Sequence, residues 1–187
     1  EYGEKLDKAD EDTDPPDYDA KLEALLPVVR GKLPVHIHAH RASDIVTGVR
    51  IAREFHLKCV IVHGTASHLI VDFLQEEGVP VITGPCLGDR SKPELTDMSL
   101  KTPSLLHKGG VPFAICTDHP EVPIQYLPLC AALAVKGGLD KETALSAITI
   151  NAAKIAGLDE NLGSLTPGKE ADIVVTDRHP LEVTGNV

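Results

Sequence analysis

The sequence lacks several patterns that define common functional classes. Its four cysteines, Cys59, Cys86, Cys116 and Cys130, include no CxxC pair, which argues against a zinc ribbon or a thioredoxin-type motif. No apolar run reaches the roughly 18 residues of a membrane span, and no signal peptide is visible. Two of the cysteines lie inside apolar segments, where a free thiol behaves as a small hydrophobe. We therefore expect a reducing, cytoplasmic location and no membrane partner.

Positive charge is also scarce. Lysine and arginine number 18 against 28 acidic residues, which gives a net charge of −10. Binding to nucleic acid requires basic patches that replace counterions, so we expect no nucleic-acid partner. The sequence contains neither GxxxxGK[ST] nor GxGxxG, the motifs of nucleotide binding. It also lacks the GxSxG elbow of many serine hydrolases.

What the sequence does contain is a repeating strand–helix rhythm. The first 19 residues are acidic and almost free of apolar side chains, and we expect them to be solvated and mobile. From Pro34 onward, apolar strands alternate with segments of helical spacing, which is typical of a parallel α/β sheet. The predicted strands are 34–40, 59–63, 79–83 and 112–117. Four such units make half of a (β/α)8 barrel, which typically needs about 250 residues.

Two further elements follow these units. Residues 141–156 predict one long helix, because Leu145, Ile148, Ala152 and Ile155 form an apolar stripe. Residues 171–176 predict a last strand with no helix after it.

Residues that can bind a metal or move a proton lie at the ends of three predicted strands. His36, His38 and His40 alternate along the first strand and therefore share one face. His63 ends the second strand, and Asp118 follows the fourth. Functional residues that group at the carboxyl ends of parallel strands are typical of α/β barrels and open α/β sheets.

Metal binding requires neutral imidazoles and carboxylates on rigid elements, with a position left for water. His38, His63 and Asp118 meet this requirement, and Asp118 is a candidate either for metal binding or for taking a proton from water. The alternative is that these are hydrogen-bonded polar residues at strand ends. His40, Arg41 and His119 are candidate substrate contacts, against a solvated cation for Arg41 and a structural hydrogen bond for His119. For His36 we expect a packed or hydrogen-bonded side chain.

Four segments resemble the amidohydrolase superfamily, and in particular its imidazolonepropionase-like and prolidase-like members. They are HIHAHR at 36–41, VHG at 62–64, TDHP at 117–120 and AITINAAKIAGLDENLGSLTPGKEADIVVTD at 147–177. The last is the most specific, because it resembles the exit of such barrels into a small β-sandwich. The resemblance covers about residues 20–187.

The resemblance implies a (β/α)8 metal-dependent hydrolase that acts on amide or other C–N bonds, peptide or non-peptide, of a small-molecule substrate. His38 matches the metal-binding histidine of the fifth strand. His63 matches the sixth-strand histidine, which binds a second metal or the substrate. Asp118 matches the eighth-strand aspartate, which binds the metal and shuttles protons. The implied cofactor is a divalent metal, zinc first, with iron or manganese as alternatives. Many relatives have Glu where this chain has Val62.

The resemblance also implies that part of the family's pattern is absent. The family's first strand carries a His-x-His pair and its fourth strand a lysine or glutamate, and residues before Pro34 match neither. We therefore expect the C-terminal half of such an enzyme. It would comprise the segment 1–19, strands five to eight of the barrel at 20–160, and an exit into a composite β-domain at 161–187.

By this interpretation the chain alone is inactive and holds metal only partially. An alternative from a different class is a non-catalytic half-barrel that serves as a binding or assembly module. A half-barrel exposes two sheet edges and an apolar face, which a second copy would cover. We therefore expect a homo-oligomer.

Overall fold

Parallel strands form the centre of the fold. The computed structural model describes residues 1–10 and 13–187. Within them, four strands form one sheet in the order β1-β2-β3-β4, namely Val35–Ala39, Cys59–His63, Val81–Thr83 and Phe113–Ile115. Every pairing is parallel, and strands that follow each other in the chain are neighbours in the sheet. This arrangement confirms the predicted α/β class with its βα units.

Helices connect the strands and cover one face of the sheet. In the described part of the chain the α-helices are α1 (Tyr2–Lys8), α2 (Ala20–Val29), α3 (Ala42–Glu54), α4 (Val71–Glu77), α5 (Thr102–Lys108), α6 (Leu127–Lys136), α7 (Lys141–Ala147) and α8 (Ile150–Ala156). Asp19 caps α2 by accepting hydrogen bonds from the backbone of Lys21 and Leu22. Gly78 ends α4 in the left-handed conformation. Each helix described is too short or too polar to cross a lipid bilayer.

The core lies between these helices and the sheet. α3 buries Ile45, Val49 and Ala52, as its apolar spacing predicts. α3 approaches β1 closely at Gly48, where an added Cβ would lie 2.9 Å from Ile37 Cγ2. The face of β1 that carries Ile37 is therefore covered by helix, whereas His36 and His38, on the opposite face, are exposed. The fully buried core side chains include Ile61, Leu74, Val81, Leu106 and Cys130.

The predicted helix at 141–156 is two helices in the structure. The chain leaves the helical conformation at Thr149, where φ is −130° and ψ is −101°. The Thr149 hydroxyl donates to the carbonyl of Leu145 at 2.8 Å, an alternative to helical backbone bonding that threonine side chains offer. Gly163 packs against this break, since an added Cβ would lie 2.7 Å from Ala153 Cβ.

The predicted strand at 171–176 is wrong for this chain. These residues form no strand, and Ile173, Val174 and Val175 are 59%, 70% and 76% exposed. A strand requires a neighbour for its backbone groups, and the described residues provide none at this place. The apolar side chains fit a β-sheet, but the sheet that would pair with them is absent from the described chain.

The two ends of the chain contact helices. Residues 11 and 12 of the segment predicted to be mobile lie outside the described residues; before them, the Tyr2 hydroxyl donates to Glu23 of α2 at 2.7 Å. At the other end, Leu181 is buried and Glu182 lies 3.6 Å from Lys141 of α7. The division at residues 19 and 160, and the mobility of the first segment, stay predictions.

The end of α6 provides a test of the packing. Gly137 follows α6, and an added Cβ would collide with the backbone carbonyl of Leu100. We expect Gly137→Ala to lower the free energy of unfolding by about 1–3 kcal/mol, the usual cost of overpacking, as measured by urea denaturation. Gly88→Ala is the control, because nothing lies within 4 Å of an added Cβ there. Equal stability of the two variants would contradict this packing.

Candidate metal centre

Three imidazole rings meet at the carboxyl end of the sheet. His38 lies on β1, His40 follows β1 directly, and His63 is the last residue of β2. The ring centroid of His38 lies 4.8 Å from that of His40 and 4.3 Å from that of His63. One ring nitrogen of each of the three lies within 4.8 Å of the others. We call these residues the histidine cluster.

Backbone conformation brings His63 to the cluster. In the parallel register His63 pairs with Ala39, whose side chain lies on the helix-covered face, so strict alternation would direct His63 away from His38. His63 instead has φ of 71°, in the left-handed region that few residues other than glycine adopt. Such conformations are held in place by the surrounding structure and concentrate at functional sites. Gly64 continues the turn with φ of 50°, where an added Cβ would lie 2.6 Å from Val81 Cγ1.

Hydrogen bonds fix the orientation of two of the rings. His63 Nδ1 lies 2.8 Å from the carbonyl oxygen of Gly84. Because a carbonyl oxygen only accepts, Nδ1 carries the proton and the lone pair of Nε2 is free for a metal ion. His40 Nδ1 lies 2.8 Å from the Thr65 hydroxyl, which orients His40 Nε2 toward His38.

The spacing within the cluster suits a bound cation. His38 Nε2 and His40 Nε2 are 3.0 Å apart. Tetrahedral zinc with Zn–N bonds of about 2.0–2.1 Å separates two ligating nitrogens by about 3.3 Å. The two nitrogens therefore need little movement to share one zinc ion.

Electrostatics keep two of the rings neutral. The pKa of His40 is lowered to about 4, chiefly by burial, with electrostatic repulsion from Lys92, His63 and His38 acting in the same direction. The pKa of His38 is also lowered, first by burial and then by His63 and Lys92. Metal ions bind the neutral imidazole, so these shifts leave both rings competent to bind at neutral pH.

The other predicted site residues lie at the same end of the sheet, outside the histidine cluster. Asp118 follows β4 with φ of 54°, and its Oδ2 lies 4.0 Å from His63 Nε2, with the side chain 48% exposed. Arg41 and His119 are exposed at the same end of the sheet. Within the described residues neither side chain makes a hydrogen bond or an ion pair. His36, which we expect to be packed or hydrogen-bonded, is exposed instead.

Three components of the site have no clear signal in the sequence. Alternation places His40 beside His38 but does not distinguish a ligand from a substrate contact. Thr65 lies two residues after His63, an ordinary position for a turn hydroxyl. The Gly84 carbonyl is a backbone group, which no motif identifies.

A larger cavity lies elsewhere. It measures about 780 Å³ and opens at the amino ends of the strands, where Leu33, Lys58 and Pro112 contribute to its walls. None of the predicted site residues lines it. In parallel α/β folds chemistry occurs at the carboxyl ends of the strands, so we assign the candidate site to the histidine cluster.

Comparison with known proteins identifies similar chains. The sequence model of the amidohydrolase family matches residues 13–186. Imidazolonepropionase of Shewanella frigidimarina is 34% identical over an alignment 155 residues long, and the match covers 78% of this chain and 35% of that protein. The crystal structure of an amidohydrolase from Thermotoga maritima has a TM-score of 0.92 and 41% identity, and the match covers 98% of this chain and 47% of that one. A zinc-bound adenosine deaminase from Xanthomonas campestris has a TM-score of 0.53 and 26% identity, over 75% of this chain and 36% of that one.

The chain therefore spans about a third of the imidazolonepropionase and less than half of the Thermotoga protein. Because the likeness to the latter extends over nearly all of this chain, its four-stranded sheet corresponds to part of an amidohydrolase (β/α)8 barrel.

The burial of His40 predicts a pH dependence of stability. With a pKa of about 4 in the folded chain and 6.5 when unfolded, His40 is protonated only in the unfolded state between these values. The stability that the neutral His40 ring gives the folded chain is fully present above pH 6.5 and is lost as the pH falls toward 4. We expect the metal-free chain to lose more unfolding free energy over this range than His40→Gln does, as followed by urea denaturation. His36→Gln is the control and should keep the wild-type slope. Equal slopes for wild type and His40→Gln would contradict the burial of His40.

Proposed function

Because the chain belongs to the amidohydrolase family, we propose that it carries the metal-binding strand ends of a hydrolase that cleaves amide or other C–N bonds in small molecules. The observation that supports this most directly is the histidine cluster, with three ring nitrogens within 4.8 Å at the carboxyl end of a parallel sheet. The chain covers 47% of the Thermotoga amidohydrolase. The activity, substrate and partners of the whole protein are therefore part of the proposal.

The donor set supports zinc as the metal. Three neutral imidazoles are the complete protein ligand set of some catalytic zinc sites, with the fourth position left for water or substrate. Manganese prefers carboxylate and carbonyl oxygens, whereas imidazole suits zinc and iron. We propose His38, His40 and His63 as ligands, so that His40 takes a place that the sequence assigns to substrate contact. Arg41 and His119 remain candidate substrate contacts.

Asp118 is the proposed acid–base group. A metal ion held by the cluster would act as a Lewis acid that polarises a carbonyl group and lowers the pKa of water. Asp118 Oδ2, 4.0 Å from His63 Nε2 and half exposed, can take a proton from the attacking water and deliver it to the leaving nitrogen. The same position also permits direct metal binding by Asp118, the alternative that the sequence leaves open.

The edges of the sheet support a role for further strands. β1 and β4 are edge strands of the described sheet, and His36 and His38 on one face of β1 are exposed. We propose that a complementary half-barrel closes this face and completes the site.

The assembly-module alternative rests on exposed apolar side chains next to β1. None of the ten residues of α2 is buried, and α3 also exposes apolar side chains. The exposed residues are Leu22, Leu25 and Val29 on α2, and Ile51 and Phe55 on and directly after α3. A second copy of the chain could cover them, so the homo-oligomer belongs to the proposal in either form.

Zinc binding tests the cluster. We expect calorimetric titration of the isolated chain to show weak binding that saturates at one zinc ion per chain, and His38→Gln to weaken this binding at least about 100-fold. A lost ligand costs more than a lost ligand-orienting partner, itself worth about 10- to 100-fold. His36→Gln, two residues earlier on the same face, should bind zinc as the wild type does. Absence of zinc binding, together with a stable dimer in light scattering, would favour the assembly module.

Turnover tests Asp118. In a form of the protein that hydrolyses a small amide, cyclic amide or dipeptide, we expect Asp118→Asn to lower kcat at least about 100-fold, because asparagine cannot accept the proton. Zinc affinity should fall less than about tenfold. Near-normal turnover of the variant on its best substrate would exclude the acid–base role.

A further inference from the structure

The cavity of about 780 Å³ at the amino ends of the strands lies at the other end of the sheet from the histidine cluster. We call it the basal cavity. Sites for small molecules have a similar size, with mostly apolar walls and a few polar groups that fix the ligand. Neither the histidine cluster nor Asp118 lines the basal cavity, so the proposed metal-dependent function leaves it without a role.

The walls of the basal cavity are mainly apolar and include a row of prolines. Pro34, Pro80 and Pro112 directly precede β1, β3 and β4, and all three line the cavity. Proline has no backbone N–H, so these positions offer a ligand no hydrogen-bond donor. The buried side chains of Val49 and Ala52 on α3 add further apolar surface. The cavity therefore suits a ligand with an apolar body.

The charged groups around the basal cavity are mostly positive. Among the described residues that line it, Lys32, Arg53, Lys58 and Lys154 are basic and Glu77 alone is acidic. Arg53 Nε donates to Glu77 Oε2, so these two charges satisfy each other. In the part of the chain that the structure describes, no carboxylate lies within 4.0 Å of the three lysine ammonium groups. Three unpaired cations thus surround this cavity in a chain whose net charge is −10.

We propose that the basal cavity binds an amphipathic carboxylate, such as the anion of a medium-chain fatty acid. The alkyl chain would lie against the prolines and α3, and the carboxylate would lie among the lysines. A lysine ammonium is a point charge on a flexible stem, which suits a single carboxylate. Phosphate is more often held by bidentate arginines and by clusters of backbone N–H groups. Here the arginine pairs with Glu77, and the prolines have no N–H.

A polypeptide is a less suitable occupant. Its backbone N–H and C=O groups need partners when they are buried, and the row of prolines offers no donor to them. An alkyl chain makes no such demand. Binding of a carboxylate here also requires no metal at the histidine cluster.

Calorimetric titration of the full chain tests the class of ligand. Octanoate is the probe, acetate keeps the charge without the alkyl chain, and octanol keeps the alkyl chain without the charge. We expect octanoate to bind at one site and acetate to bind at least about 50-fold more weakly, because each buried CH₂ group contributes to binding. Octanol should bind at least about fivefold more weakly at low salt, and added salt should reduce this difference.

Lysine variants locate the site. We expect Lys58→Gln and Lys154→Gln each to weaken octanoate binding about two- to fivefold, the range of an exposed ion pair, and to leave octanol binding unchanged. Lys58→Arg should keep the wild-type affinity. Lys101→Gln is the control, because Lys101 is exposed but does not line the cavity. His38→Gln should bind octanoate as the wild type does.

A cysteine provides a second measurement. Cys59 lines the basal cavity, whereas Cys86 does not. We expect octanoate to slow the alkylation of Cys59 by iodoacetamide, as followed by peptide mass spectrometry, and to leave that of Cys86 unchanged. Acetate at the same concentration should protect neither thiol.

The proposal fails if octanoate does not bind, if octanol binds equally well, or if octanoate leaves Cys59 unprotected. It also fails if both lysine variants bind octanoate as the wild type does. An acidic peptide that displaces octanoate and protects Cys59 more strongly would identify a protein-docking site in place of a carboxylate site. None of these results depends on zinc binding, so the proposed metal-dependent function stands or falls separately.

Discussion

The parallel pairing of β1 with β2 is the constraint on which the candidate site depends. Ala39 pairs with His63, so the carboxyl ends of the two strands reach the same edge of the sheet. His38 lies on β1, His40 follows β1 directly, and His63 is the last residue of β2. None of the three residues is therefore positioned by a long loop. Rigid elements hold ligands more precisely than loops do. The three rings thus meet because the backbones of the two strands are hydrogen-bonded in this register.

Side-chain alternation alone would not assemble the cluster. It directs His36 and His38 to one face of the sheet but directs His63 to the other, on which α3 packs. The left-handed conformation at His63 overrides alternation at the last residue of the strand, and the Gly84 carbonyl from the neighbouring strand end then holds the ring. A conformation that costs free energy is thus maintained by a hydrogen bond that also sets the tautomer. The Gly84 carbonyl thus supports both the left-handed backbone at His63 and the tautomer that leaves His63 Nε2 free for a metal ion.

The sequence predicts much of this fold, because apolar runs and helical spacing are local signals. The four strands lie within their predicted bounds, and the amidohydrolase resemblance is confirmed. The errors arise where non-local packing decides. Thr149 interrupts a stripe that is otherwise helical, and residues 171–176 have β-forming side chains but no neighbouring strand. Within the site, strand ends and alternation indicate His38 and His63. The pairing of His40 with Thr65 depends on how the turn after β2 folds back, which spacing does not encode.

Gly84 is important both for the packing of the sheet and for the geometry of the candidate site. An added Cβ would collide with the carbonyl of Cys116, so the ends of β3 and β4 can approach each other only if this position is glycine. The carbonyl of the same residue holds His63. A substitution at Gly84 would therefore disturb both the packing of β3 against β4 and the orientation of the His63 ring, although glycine has no side chain that takes part in either contact. Selection for a well-formed sheet and selection for a working site would act on the same few backbone atoms of Gly84. A substitution at this position would therefore alter both properties together.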